Sequence, residues 1–184
     1  MNEQAAPRDQ AAPESIGRLV WEHEQRREIT ETLLDYCELV DRNDPAGLVE
    51  RVFAPDGAFE LGSNRAVVGR DNLAKMFAKT LAAFSATSHH LSNVRVTFSG
   101  TAGQNADRAH ATAFVYAWHR TVGGERVEVW GRYADTLVRT EAGWRIESRR
   151  ATTAGADGWA NAPFEFIDRL PNPTDTPSPE VQRR

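Results

Sequence analysis

Apolar residues recur at helical spacing through the first quarter of the chain and at a spacing of two through its second half. Ile16, Leu19 and Val20 open a stripe that Thr30, Leu33, Leu34, Cys37 and Val40 continue, which predicts a long helix starting near Ser15. Asp41 falls on the same stripe, where a carboxylate faces the core unless the helix has already ended. Asp44-Pro45 supplies an N-cap followed by a proline in the first helical position, and a short second helix, PAGLVERVF, is expected. APDG then turns the chain into a strand, AFEL. A third helix follows Gly69-Arg70, with Asp71 as the expected cap and Leu73, Met76, Phe77, Leu81 and Phe84 as its apolar face.

After residue 88 the period changes. In SATSHHLSNVRV, His90, Ser92, Val94, Val96 and Phe98 share one parity, and His89, Leu91, Asn93, Arg95 and Thr97 the other. The first set is the more apolar, so His90 is expected to point inward and His89 outward. RAHATAFVYAWHRT forms the next strand, Gly123-Gly124 turns it, ERVEVWGRYADTLVRT returns, and WRIESRRATT closes the meander. Three helices followed by mostly antiparallel strands predict an α+β domain with helices on one face of a curved sheet. It is expected to span residues 15–170, with polar, proline-bearing tails at 1–14 and 171–184.

Composition narrows the function. The chain has 184 residues, 40% of them hydrophobic, and a formal net charge of −4, which is no footprint for nucleic acid. Arg145, Arg149 and Arg150, interrupted by Glu147, read as a solvated sheet face. A single cysteine, Cys37, leaves no internal disulfide. With no apolar run of membrane length and no signal-peptide pattern, a cytoplasmic protein acting on a diffusible small molecule is the expectation. No zinc, nucleotide or flavin motif is present, so neither metal nor cofactor is expected.

The candidate chemistry is acid–base. A carboxylate held in a core needs a donor, and an inward histidine on the sheet would supply one. Asp41 with His90 makes such a dyad: the carboxylate fixes the tautomer and leaves Nε2 to take a proton. His119 ends the alternation Ala109, Ala111, Ala113, Val115, Ala117, a small-residue face suited to a pocket wall. The opposite face, with Thr112, Phe114, Tyr116 and Trp118, is bulkier and equally core-like, and periodicity leaves the choice between them open. Tyr36 is a candidate acid. Tyr133 and Asp135 share a parity that permits an inward position, and Phe53 and Trp118 are further candidates for substrate contact.

The segments RREITETLLDYCELVDRND, VFAPDGAFEL, SHHLSNVRV and GRYADTLVRTEAGWRIESRR, in this order and spacing, resemble the SnoaL-like branch of the nuclear-transport-factor-2-like superfamily. The resemblance implies a cone-shaped α+β barrel with an apolar pocket at its open end. In members akin to scytalone dehydratase, bile-acid 7α-dehydratase and hexachlorocyclohexane dehydrochlorinase, an Asp ending the first helix pairs with a His starting the strand after the third. Asp41 and His90 match those positions, and His119 and Tyr36 resemble further pocket residues. Val40 and Tyr133 depart from the scytalone dehydratase pattern, and Tyr36 from the dehydrochlorinase pattern. Phe164 and Phe166 resemble an aromatic segment covering the pocket. The implied function is a cofactor-independent lyase or isomerase acting on a medium-sized apolar ring compound. A polyketide or terpenoid cyclase and a non-catalytic binding or assembly subunit are the alternatives. The family's habit of packing sheet against sheet implies a homo-oligomer, a dimer or trimer.

Overall fold

The structure, a computed structural model, describes residues 11–62, 65–99, 106–159 and Phe166. Its elements are α1 (Ala11–Asp41), α2 (Pro45–Val52), β1 (Phe53–Leu61), β2 (Val67–Val68), α3 (Arg70–Leu81), β3 (Phe84–Phe98), β4 (Arg108–Thr121), β5 (Arg126–Thr140) and β6 (Gly143–Asp157). The tail expected at 171–184 and most of the one at 1–14 lie outside the described residues. Among these residues no helix is long and apolar enough to cross a membrane.

The six strands form one mixed sheet in the order β2-β1-β6-β5-β4-β3, with β1 parallel to β6 and every other pair antiparallel. This is the expected α+β class. The sheet curls around a core filled from α1, α2 and α3. Asp44 caps α2 by accepting from the Gly47 N–H at 2.9 Å, as its Asp-Pro start predicts. The cap of α3 differs from expectation: Gly69, at φ 85°, occupies it, and Asp71 sits in the first turn instead. A Gly there reaches a backbone conformation that other residues avoid.

α1 begins earlier than its apolar stripe implied, and Ile16, Leu19 and Val20 are exposed. Packing on the sheet starts where Trp21 meets Phe98 and where Gln25 accepts from Trp144 Nε1 at 2.9 Å. The buried stripe runs through Ile29, Leu33, Tyr36, Cys37 and Val40, and Leu34 faces out. Each aliphatic side chain so buried contributes roughly 1.5–3 kcal/mol.

Two bulges shape β3. Leu91 and Ser92 pair with Val115 and Phe114, but Arg95 pairs with Thr112, so β3 carries one residue more than β4 over this stretch. Asn93 adopts φ 53° there, a left-handed geometry that Asn tolerates. The extra residue resets the alternation. Val94, Val96 and Phe98 pack toward the core below the bulge, and Leu91 does so above it. His90 therefore points out, contrary to the parity carried back from Val94, and His89 points in.

Candidate active site

β4 presents its small face inward. Ala109, Ala111, Ala113, Val115, Ala117 and His119 are all buried, which settles the choice that periodicity left open. Trp118 lies on the opposite, outer face and takes no part in the interior, and Trp130 is likewise exposed there rather than in the core. Small side chains from β4, with Gly131 of β5, leave a cavity of about 360 Å3 between the sheet, α1 and α3. A Cβ on Gly131 would meet the Thr152 carbonyl oxygen at 2.4 Å, so close strand approach requires glycine there. Tyr36, Phe59, Phe77, His89, His119 and Tyr133 all line this space.

Asp41 is the last residue of α1, and its carboxylate reaches across to the start of β3. Oδ1 accepts from Thr87 Oγ1 and pairs with His89 Nδ1, both at 2.7 Å, while Oδ2 accepts from the His89 backbone N–H at 2.8 Å. Three contacts from one turn of strand fix the carboxylate and, through it, the imidazole. Burial alone would raise the Asp41 carboxyl; bonds from the His89 ring, the His89 N–H and Thr87 outweigh it and hold the group below its ordinary value. With the carboxylate as acceptor, Nδ1 carries the hydrogen and Nε2 is left as the proton acceptor. The sequence-level pairing of Asp41 with His90 is thus corrected. His90 is exposed on the outer face, where its Nε2 meets Ser88 Oγ at 3.0 Å and its ring lies 5.8 Å from Tyr116.

His119 faces the same cavity from β4, its ring 5.3 Å from that of His89 and perpendicular to it. Burial, reinforced by the neighbouring His89, pulls its pKa down to about 4, so this ring is neutral near pH 7. Its Nδ1 is buried and has no hydrogen-bond partner in the structure. Phe84 and Trp159 pack around it.

Tyr36 and Tyr133 meet edge to face at 5.7 Å. The Arg149 guanidinium carbon stacks 4.2 Å from each ring centroid. Arg149 donates to both Asp135 oxygens at 2.8 Å, and neither side chain retains any exposure. The reading of Arg149 as part of a solvated face is therefore wrong. Asp135 and Arg149 are cross-strand partners on the inward face, and a bidentate pair of this kind is what permits burial. Burial opposes the charge on Arg149, and the Asp135 carboxylate more than compensates. Burial pushes the Tyr36 hydroxyl up to about 12 against the pull of Arg149, so Tyr36 remains a proton carrier at neutral pH.

Other expected wall residues fall elsewhere. Phe53 is fully buried in the core beneath Tyr36 rather than on the cavity wall. Phe164 lies outside the described residues, and Phe166 is exposed, bridging Thr153 at the cavity's edge. Asp135 has the inward position its parity permits, but that it meets Arg149 follows only from the pairing of β5 with β6. Nor did the alternation announce the bulge at Asn93. A larger open cleft of about 530 Å3 near the β5–β6 turn is walled by charged side chains and contains no histidine.

A curled six-stranded sheet with three helices leaves an apolar cavity, and His89, held by Asp41, stands on its wall. The family model for the SnoaL-like domain matches residues 21–150, more than half the chain, and the protein belongs to that family. A candidate scytalone dehydratase from Novosphingobium aromaticivorans is similar at 25% identity and TM-score 0.74, over 83% of this chain and 99% of that one. An NTF2-like protein with a cystatin-like fold from the same organism shares 25% identity at TM-score 0.62, over 84% and 95%. A type 2 hexachlorocyclohexane dehydrochlorinase (LinA) shares the fold at TM-score 0.67 and 16% identity, over 79% and 96%. No curated protein matches the chain.

Proposed function

We propose that this protein is a cofactor-independent lyase or isomerase that removes a carbon-bound proton from a medium-sized, largely apolar ring compound. The observation that carries this reading is the 2.7 Å contact by which Asp41 holds His89, whose ring lines a half-open apolar cavity. His89 Nε2 takes a proton made acidic by a neighbouring carbonyl. Asp41 holds the ring's orientation and stabilises the imidazolium that forms. Tyr36, kept protonated by burial, donates to the developing enolate oxygen or to the departing hydroxyl. Neutral His119 packs edge-on against the His89 ring and, with one ring nitrogen bonded to the Val127 carbonyl, offers a lone pair rather than a donor. Arg149, stacked on both tyrosine rings and neutralised by Asp135, fixes the position of the two rings from beneath.

The dehydratase and dehydrochlorinase likenesses support elimination as the reaction type. Ring closure, the cyclase alternative, begins with the same proton abstraction and differs only in what the carbanion then attacks. The test is a panel of hydroxylated cyclic ketones incubated with the wild type and with His89→Gln, with products identified by mass spectrometry. Turnover lost in His89→Gln and retained in His90→Gln supports the reading. Equal turnover in His89→Gln and the wild type rejects it. The outer sheet face, where Phe114 and Trp130 are exposed, supports the expected homo-oligomer.

A further inference from the structure

We infer that the compound entering the cavity carries an anionic oxygen group, which Arg65 receives at the cavity mouth. This rests on the reading of the cavity as the substrate chamber. Arg65 lies in the connection between β1 and β2 and lines the cavity while remaining exposed, which puts its guanidinium at the boundary between chamber and solvent. Among the described lining residues it alone carries a fixed charge; the rest are aliphatic, aromatic, small or hydroxyl-bearing, with the two histidines. Several arginines elsewhere are engaged, Arg149 with Asp135, Arg108 with Glu147, Arg51 with Asp35 and Arg70 with backbone carbonyls, and none of these lines the cavity. No carboxylate among the described residues pairs with Arg65.

Position adds to chemistry. Arg65 adjoins β1 and β2 at one end of the strand order, and His89 stands on β3 at the other. Both side chains line the same cavity, so a compound held at Arg65 lies in the chamber that His89 faces. Thr80 and Thr152 add hydroxyl donors along the wall. A guanidinium matches a planar carboxylate through two parallel N–H bonds, and it also accommodates a phosphate ester.

Calorimetric binding of 2-naphthoate, 2-naphthyl phosphate and neutral 2-naphthamide tests the inference. The wild type is expected to bind at least one of the two anions about tenfold more tightly than the amide, and the identity of that anion tells carboxylate from phosphate. Arg65→Gln is expected to remove the difference while leaving amide affinity unchanged, and Arg65→Lys to retain part of it. The base assignment is read separately, from turnover in His89→Gln, so its failure leaves the binding comparison in the wild type and Arg65→Gln untouched. Equal affinity for all three probes in the wild type, or an undiminished anion preference in Arg65→Gln, overturns the inference.

Discussion

One carboxylate organises the chemistry at the residue scale. Asp41, partly open to solvent at the end of α1, is held by Thr87 and His89 together. Replacing His89 by Gln is expected to lower kcat by roughly 10²–10⁴-fold with the fold intact, as measured by turnover alongside circular dichroism. The same change at His90 is expected to leave kcat near the wild-type value, because that ring is on the other face of the sheet. His119 makes a prediction about pH. Its pKa is depressed to about 4 from an ordinary 6.5, so between these values the unfolded chain binds more protons than the folded one. Stability is then complete above pH 6.5 and falls as the pH drops toward 4, by about 3 kcal/mol in all from this group. Urea titrations across that window are expected to show a shallower loss in His119→Phe.

Elements decide where these residues point. The extra residue at Asn93 turns the upper half of β3 over relative to its lower half, which brings His89 to Asp41. Because Asn93 holds φ 53°, Asn93→Val is expected to destabilise the protein by about 1–2 kcal/mol, and Asn93→Gly to be close to neutral. Denaturant midpoints measure both. Between β5 and β6 the buried Arg149–Asp135 pair is a second such device. Removing one partner, as in Asp135→Asn or Arg149→Met, is expected to cost about 3–5 kcal/mol by exposing the other to an uncompensated burial. The double replacement Asp135→Leu/Arg149→Met is expected to recover much of that loss, while the electrostatics beneath Tyr36 and Tyr133 change.

At the scale of the whole molecule, the curled sheet has two faces with different tasks. The inner one carries small residues and encloses the cavity; the outer one exposes Phe114 and Trp130, with Arg132 stacked 4.6 Å from the Phe114 ring. Phe114→Ser/Trp130→Ser is expected to shift the protein toward the monomer in sedimentation experiments if copies associate through this face. Cavity and dyad lie on the inner side, so substrate binding by such a monomer reports whether assembly matters to the site.

Much of the fold was legible in the chain. The α+β order, the Asp-Pro cap and the β4 alanine alternation follow from spacing and residue type, because local geometry sets them. What the chain did not disclose is the partner of Asp41, since parity holds only while pairing is regular, and one left-handed asparagine resets it. The same holds for Arg149: charge reads as solvent exposure until a cross-strand aspartate is known to meet it. Sequence determined which groups were available for proton transfer, and tertiary pairing decided which histidine receives the carboxylate, because a single-residue shift in a strand exchanges its two faces.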